Sequence, residues 1–106
     1  MSGDTQDARG KTLIELRLPA DHPAYAGHFP GEPILPGVVL LDAALDAIVT
    51  SGQYAPRRWQ ILAAKFLSVV RPGDALMLEH ESQGGAVKWS IRGASGTVAS
   101  GSFGPA

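Results

Sequence analysis

The chain contains no cysteine, and few of its residues are charged or aromatic. Without cysteine, disulfide bonds, thiolate metal ligands and a cysteine nucleophile are excluded. Charged residues make up only 18% of the sequence, with a formal net charge of −1, so no basic field points to nucleic acid or to an anionic membrane. So low a charge content suggests that a partner covers part of the surface, and the simplest partner is another copy of the chain, in a homodimer or a larger homo-oligomer.

Long apolar runs are absent as well. None is longer than four residues, the length of residues 38–41, which is far too short to span a bilayer. Residues 1–10 are polar and lack the apolar core of a secretory signal. We therefore expect a cytoplasmic protein with one domain, in which residues 1–10 form a disordered tail and residues 11–106 fold.

Proline is concentrated in one part of the chain, since five of the eight prolines lie between residues 19 and 36. Proline lacks the N–H group that strands and helix interiors need, so this segment predicts an ordered loop. Residues 12–18 before it alternate between apolar and charged side chains, which predicts a half-buried strand.

The segment after the loop predicts a helix that begins at Pro36 and closes at Gly52. It is apolar nearly all round, and Asp42 and Asp46 are the main exceptions. A helix of this kind is expected to be buried. In so short a chain, only a sheet curled around the helix can cover it.

Four more strands are predicted within residues 59–68, 75–83, 86–92 and 96–103. A Pro-Gly turn at residues 71–74 and a Gly-Gly turn at 84–85 separate them, so we expect four strands in hairpin succession. An antiparallel sheet wrapped around one central buried helix is an α+β fold of the hot-dog type.

Three residues near the start of the helix have chemistry that belongs together. His28 titrates near neutral pH, which suits a general base, although a loop histidine can also simply bond to backbone. Asp42 interrupts the apolar helix, where burial would favour the protonated form that a general acid needs; the alternative is a capping carboxylate. Gly37 is expected at the helix N-terminus, where its N–H can bind an oxygen that gains negative charge, unless it is only a turn glycine. Together the three residues could supply a base, an acid and an oxyanion donor to one reaction.

The segment GHFPGEPILPGVVLLDA, residues 27–43, resembles the β-hydroxyacyl-ACP dehydratase family of the FabA/FabZ type. The family pattern is His-Phe-Pro-Gly, then Pro-Ile-x-Pro-Gly-Val, then an acidic residue fourteen positions after the histidine. Every position of this pattern is filled, and Lys65-Phe66 and the Pro-Gly-Asp at residues 72–74 also match. The resemblance implies a hot-dog dimer whose sheets join edge to edge, with the histidine of one subunit facing the acid of the other.

The resemblance also implies an activity. The substrate would be a 3-hydroxyacyl thioester on the phosphopantetheine arm of acyl carrier protein, the product the trans-2-enoyl thioester, and no further cofactor or metal would take part. The implied catalytic residues are His28 and Asp42, and the implied substrate-binding residues are Gly37, Val38, Tyr25 and Phe29. The short chain suggests a specialised pathway, such as polyketide, aryl-polyene or lipid-decoration synthesis.

Departures from the family pattern occur on the helix. Asp42 is typical of the dehydratase–isomerase branch, but that branch has cysteine where this chain has Val38. Asp46 replaces the usual glutamine four residues after the acid. Either Asp46 reaches solvent or a partner, or its charge acts on Asp42.

Other residues have weaker claims to function. We expect His22 and His80 to be structural or at the surface, and both tryptophans to belong to the core. Arg57, Arg58 and Arg71 could meet an acidic carrier protein, although scattered arginines are usually only solvated. Two rival functions remain open: a hot-dog acyl thioesterase, and a non-catalytic partner of an active dehydratase.

Overall fold

The computed structural model describes residues 5–6, 11–16, 18, 35–55, 57–71 and 73–106. Their elements, in chain order, are β1 (Thr5–Gln6), β2 (Thr12–Leu16), α1 (Gly37–Thr50), β3 (Trp59–Phe66), β4 (Leu76–Gln83), β5 (Ala86–Gly93) and β6 (Gly96–Pro105). β1 lies within the segment that was predicted to be a disordered tail, and it pairs with β2. The other residues of that segment lie outside the described part of the chain.

The strands form one antiparallel sheet in the order β1-β2-β4-β5-β6-β3. Gly84 and Gly85 close the β4–β5 hairpin with φ angles of 57° and 87°, the left-handed values that a type I′ turn needs. The prediction of four strands in hairpin succession is wrong for β3, which pairs with β6 at the sheet edge rather than with β4. The reason is that β3 ends at residue 66 and β4 begins at residue 76, a separation too long for a tight turn, so local turn geometry does not require the two strands to pair.

The inner face of the sheet is buried. Leu78, Trp89 and Phe103, from β4, β5 and β6, are at most 2% exposed, and the rings of Trp89 and Phe103 stack with centroids 5.4 Å apart. The same core cluster includes three residues of α1 at a spacing of four: Leu40, Ala44 and Ile48. That spacing places them on one helix face. The predicted α+β architecture, an antiparallel sheet packed on one helix, is confirmed.

The prediction that α1 is buried on all sides is wrong for the single chain. Four of its exposed residues lie opposite the buried face and are called the exposed stripe: Val38, Asp42, Asp46 and Val49. Their spacing of three or four residues places them along one line of the helix. The sheet of one chain covers only one side of α1, so an apolar pattern alone does not reveal what covers the other side. No helix in the described part is long and apolar enough to cross a membrane.

β3 is exposed along almost its whole length, and only Trp59 in it is half-buried. Large exposed apolar side chains occur on β3 and directly after it: Ile61, Leu62, Phe66, Leu67 and Val69. Among the described strands, none pairs with the outer edge of β3. A long, apolar and unpaired edge is a surface on which another strand can pair.

Candidate active site

Pro36 and Gly37 begin α1, as the sequence predicted. Pro36 has extended backbone (φ −61°, ψ 144°), and its carbonyl accepts from the N–H groups of Val39 and Leu40 at 3.1 and 3.3 Å. The N–H groups that precede these have no intrahelical acceptor, and the N-cap side chain makes no hydrogen bond to them. The amide of Gly37 therefore lies at the positive end of the helix dipole, where it can donate to a bound oxygen.

A backbone hydrogen bond fixes the chain just before the helix. The N–H of Leu35 donates to the carbonyl of Val70 at 2.8 Å. Leu35 and Val70 are both buried in the core. The start of α1 is thus tied to the connection between β3 and β4, which sets its place relative to the end of β3.

Asp42 lies on the exposed stripe, so its predicted burial is wrong for the single chain. It follows Gly37 by five residues, which is about 7.5 Å along the helix axis. The sheet lies against the opposite face of α1. The Asp42 carboxyl therefore points outward from the core, where it can meet a group of a neighbouring chain.

Asp46 is exposed on the same stripe, one helical turn after Asp42. Of the two alternatives that the sequence left open, this position fits the one in which Asp46 reaches solvent or a partner. Carboxylates four residues apart on an exposed helix face repel each other by about 0.2–0.5 kcal/mol.

Several predicted site residues lie outside the described part of the chain. They are His28, the predicted base; Tyr25 and Phe29, predicted to line the substrate; and His22. Their roles stay predictions. Among the residues that are described, no group of three or more His, Asp or Glu side chains is placed to hold a metal ion.

Phe66 approaches the predicted oxyanion donor, although the sequence assigned it no role. A Cβ atom built on Gly37 would lie 3.0 Å from Cε1 and Cζ of the Phe66 ring. Lys65-Phe66 matches the family pattern in the sequence. That match gave no sign of this contact, because strand order decides which side chain reaches the helix start.

His80 is buried in the core, so the expectation that it is structural fits its position. Its Nδ1 and the hydroxyl of Tyr54 are hydrogen-bonded at 2.7 Å. Burial raises the pKa of Tyr54 above 10.0, and the nearby negative charge of Glu81 raises it further. Beside this pair, the Thr12 hydroxyl donates to Oε1 of Gln53 at 2.8 Å. These polar contacts fasten the segment after α1 to the sheet, at the opposite end of the helix from Gly37.

The three arginines considered for carrier-protein binding occupy different surroundings. The guanidinium of Arg57 lies 5.5 Å from the ring centroid of Trp59, a cation–π contact. Arg58 is exposed just before β3. Arg71 is exposed in the connection between β3 and β4. Its neighbour Val70 is hydrogen-bonded to Leu35, just before α1, so Arg71 is the arginine with the most direct structural link to the start of the helix.

Known proteins resemble the chain in sequence. The family model ApeI-like, described as ApeI dehydratase, matches residues 4–102. The 3-hydroxyacyl-acyl-carrier-protein dehydratase FabZ of Chloroflexus aggregans is 39% identical over 76 residues, which is 65% of this chain and 53% of that protein. FabZ of Sodalis glossinidius is also 39% identical, over 69% of this chain and 55% of that protein. The chain spans about half the length of the curated relatives it matches.

Solved structures share the fold. The dehydratase heterocomplex ApeI:P from Xenorhabdus doucetiae contains a chain with a TM-score of 0.74 and 24% identity, over 95% of this chain and 91% of that one. The dehydratase domain of the polyketide protein PpsC from Mycobacterium tuberculosis gives a TM-score of 0.78 and 22% identity, over 100% of this chain and 43% of that one. At these identities the likeness establishes the fold alone.

Proposed function

The chain belongs to the ApeI-like dehydratase family, and we propose that it removes water from a 3-hydroxyacyl thioester on acyl carrier protein to leave the trans-2-enoyl thioester. The observation that carries the proposal is the placement of two required groups on one helix. The amide of Gly37 begins α1 without an intrahelical acceptor, and the outward carboxyl of Asp42 follows about 1.4 turns later. The names of the curated relatives, 3-hydroxyacyl-acyl-carrier-protein dehydratases, support the same reaction.

In this proposal each group has one task. His28 takes the proton from the α-carbon, and the electron pair of that bond forms the new double bond as the β-hydroxyl departs. Asp42 gives a proton to the departing hydroxyl, which leaves as water. The N–H of Gly37 donates to the thioester oxygen while it carries extra negative charge. Val38, with 71% of its surface exposed, lies beside that amide where it can contact the acyl chain.

We assign the acid and the base of one site to two different chains. The reason is that Asp42 points away from the core of its own chain. β3, the exposed edge strand, offers the surface on which a second copy can extend the sheet. A homodimer joined there is the arrangement that the family resemblance implies.

The product tests this function directly. Purified protein is incubated with a 3-hydroxyacyl acyl carrier protein, and the products are identified by mass spectrometry. We expect the enoyl thioester from the natural sequence and none from His28→Ala or Asp42→Asn, with folding checked by circular dichroism. Free acid would instead indicate a thioesterase. Turnover that appears only after a homologous dehydratase is added would indicate a non-catalytic partner.

A further inference from the structure

The ring of Phe66 packs directly on the start of α1. Cε1 and Cζ lie 3.0 Å, and Cε2 3.2 Å, from the point where a Cβ atom of Gly37 would be. Three ring carbons at nearly equal distance mean that a face of the ring, rather than one atom, lies against the glycine. No side chain fits at residue 37 unless this ring moves.

The backbone holds Phe66 in this place. Phe66 pairs with Ala99 at the end of the β3–β6 ladder. The next residue, Leu67, donates its N–H to the Val98 carbonyl at 2.8 Å. The end of β3 is therefore anchored on its inner side, even though the strand's outer edge is free of described partners.

The ring also borders the space outside the helix start. Phe66 remains 47% exposed although part of its ring covers Gly37. Val38, the next helix residue, is exposed as well. Gly37 thus has two partly exposed apolar neighbours: Val38 follows it in the chain, and the Phe66 ring lies where its Cβ would be. Apolar side chains beside an amide reduce its contact with water when a ligand is bound there, and a hydrogen bond to a charged oxygen is stronger where water is excluded.

We propose that Phe66 is a positioning residue: its ring forms the wall that holds the thioester oxygen on the Gly37 amide and keeps water away from that hydrogen bond. The inference rests on the proposed function, since it assigns a role to the same site. The part of the substrate on which Phe66 acts is then the thioester group, which is the same in substrates of every acyl chain length. Phe66 would therefore affect the rate for short and long acyl chains alike.

Steady-state kinetics of Phe66→Ala and Phe66→Tyr on a 3-hydroxyacyl acyl carrier protein test the role. Because the oxyanion hydrogen bond strengthens in the transition state, we expect Phe66→Ala to lower kcat by about tenfold with a smaller change in KM. Phe66→Tyr keeps the ring and should stay within about twofold of the natural protein. Met77→Ala is the matched control, since it removes a 40% exposed apolar side chain from β4 and should leave kcat unchanged. An unchanged kcat in Phe66→Ala, or an equal loss in Met77→Ala, would overturn the proposal.

A double-mutant cycle tests the contact on which the role depends. Gly37→Ala should lower kcat because its methyl group displaces the ring. In the Gly37→Ala, Phe66→Ala double variant the methyl group has no ring to displace, so the second substitution should cost much less than it does alone. If the fold loss in kcat of the double variant equals the product of the losses of the two single variants, the proposed wall is contradicted.

A binding measurement separates this proposal from the proposed function. If the natural protein forms no enoyl product, the dehydratase function fails, and binding of the crotonyl thioester of pantetheine is then measured by calorimetry. Binding that is weakened about tenfold in Phe66→Ala but not in Met77→Ala would support the wall. Equal binding by the natural protein and Phe66→Ala, or no binding by either, would overturn it.

Discussion

Asp46 is the residue that departs most clearly from the family pattern, and its exposure predicts what its replacement would change. Because Asp46 is exposed in the single chain, one helical turn beyond Asp42, we expect Asp46→Gln to leave the pH dependence of dehydration unchanged. At a pH where both carboxyls are ionised, loss of the like-charge pair should raise the free energy of unfolding by about 0.2–0.5 kcal/mol. The pH–rate profile and urea unfolding measure the two effects. A displaced alkaline limb of the profile would contradict this view and show that Asp46 acts on the reacting groups.

Tyr54 makes the free energy of unfolding depend on pH at alkaline values. Its pKa is raised in the folded protein, so the folded state holds the phenolic proton at pH values where the unfolded chain has begun to lose it. Stability from this residue is therefore fully present below the ordinary pKa of 10.0 and is lost as the pH rises above it. Urea unfolding between pH 8 and pH 11, at about one-unit steps, should show a smaller alkaline loss in Tyr54→Phe than in the natural protein.

The Tyr54→Phe substitution also removes the hydrogen bond to His80. We expect a loss of about 0.5–1.5 kcal/mol at neutral pH from that bond. Glu81→Gln is the control for the alkaline effect, because it removes the smaller of the two causes and should reduce the alkaline loss only in part. Identical alkaline losses in the natural protein and Tyr54→Phe would contradict the assignment.

At the level of residues, the sequence predicted where the helix begins better than it predicted what surrounds the site residues. Gly37 lies at the predicted helix terminus because Pro36 determines the first turn from local backbone geometry. The burial of Asp42 was predicted wrongly, because burial depends on which face the sheet covers. The Phe66 contact was missed for the same reason, since it joins residues that are distant in the chain.

At the level of elements, β6 contains a glycine that the sheet requires. A Cβ atom on Gly101 would collide with the carbonyl oxygen of Ala63 and lie 2.8 Å from Cζ2 of Trp89. This close approach occurs beside the register shift between Ile61 and Ala63, where β3 bulges against β6. Gly101 therefore allows the bulged edge strand to pack on the sheet.

We expect Gly101→Ala to lower the free energy of unfolding by about 1–3 kcal/mol, because the added methyl group overpacks a half-buried position against the backbone of Ala63. Urea unfolding monitored by tryptophan fluorescence measures the loss. Ser100→Ala, at the neighbouring position of the same strand, is the control and should change stability much less. Equal stabilities for the natural protein and Gly101→Ala would mean that β3 can move away from β6 at little cost.

The strands themselves were predictable, but their order was not. Alternating apolar residues and the Gly-Gly turn located β4 and β5 within one or two residues of their observed ends. The sequence placed β3 beside β4, whereas it lies beside β6. Local patterns determine where a strand forms, while the pairing of β3 depends on contacts between residues that are far apart in sequence.

At the scale of the whole molecule, the exposed edge of β3 predicts self-association. The strand carries large exposed apolar side chains, Ile61, Leu62 and Phe66, and lacks a described partner on its outer side. We expect sedimentation equilibrium at micromolar concentration to give at least twice the chain mass of 11.1 kDa. Ala64→Pro, which removes a backbone donor in the middle of β3, should shift the protein towards monomer if it folds. A natural protein that stays at 11.1 kDa would contradict the dimer.

The shared catalytic site is the central claim, and mixing two inactive variants tests it most directly. His28→Ala and Asp42→Asn are each prepared, combined in equal amounts and allowed to exchange subunits. Random pairing gives about half mixed dimers, each with one intact site, so roughly a quarter of the natural activity should return. Exchange is verified by mass spectrometry of differently tagged chains. No recovery of enoyl product despite proven exchange would contradict a site composed of two chains.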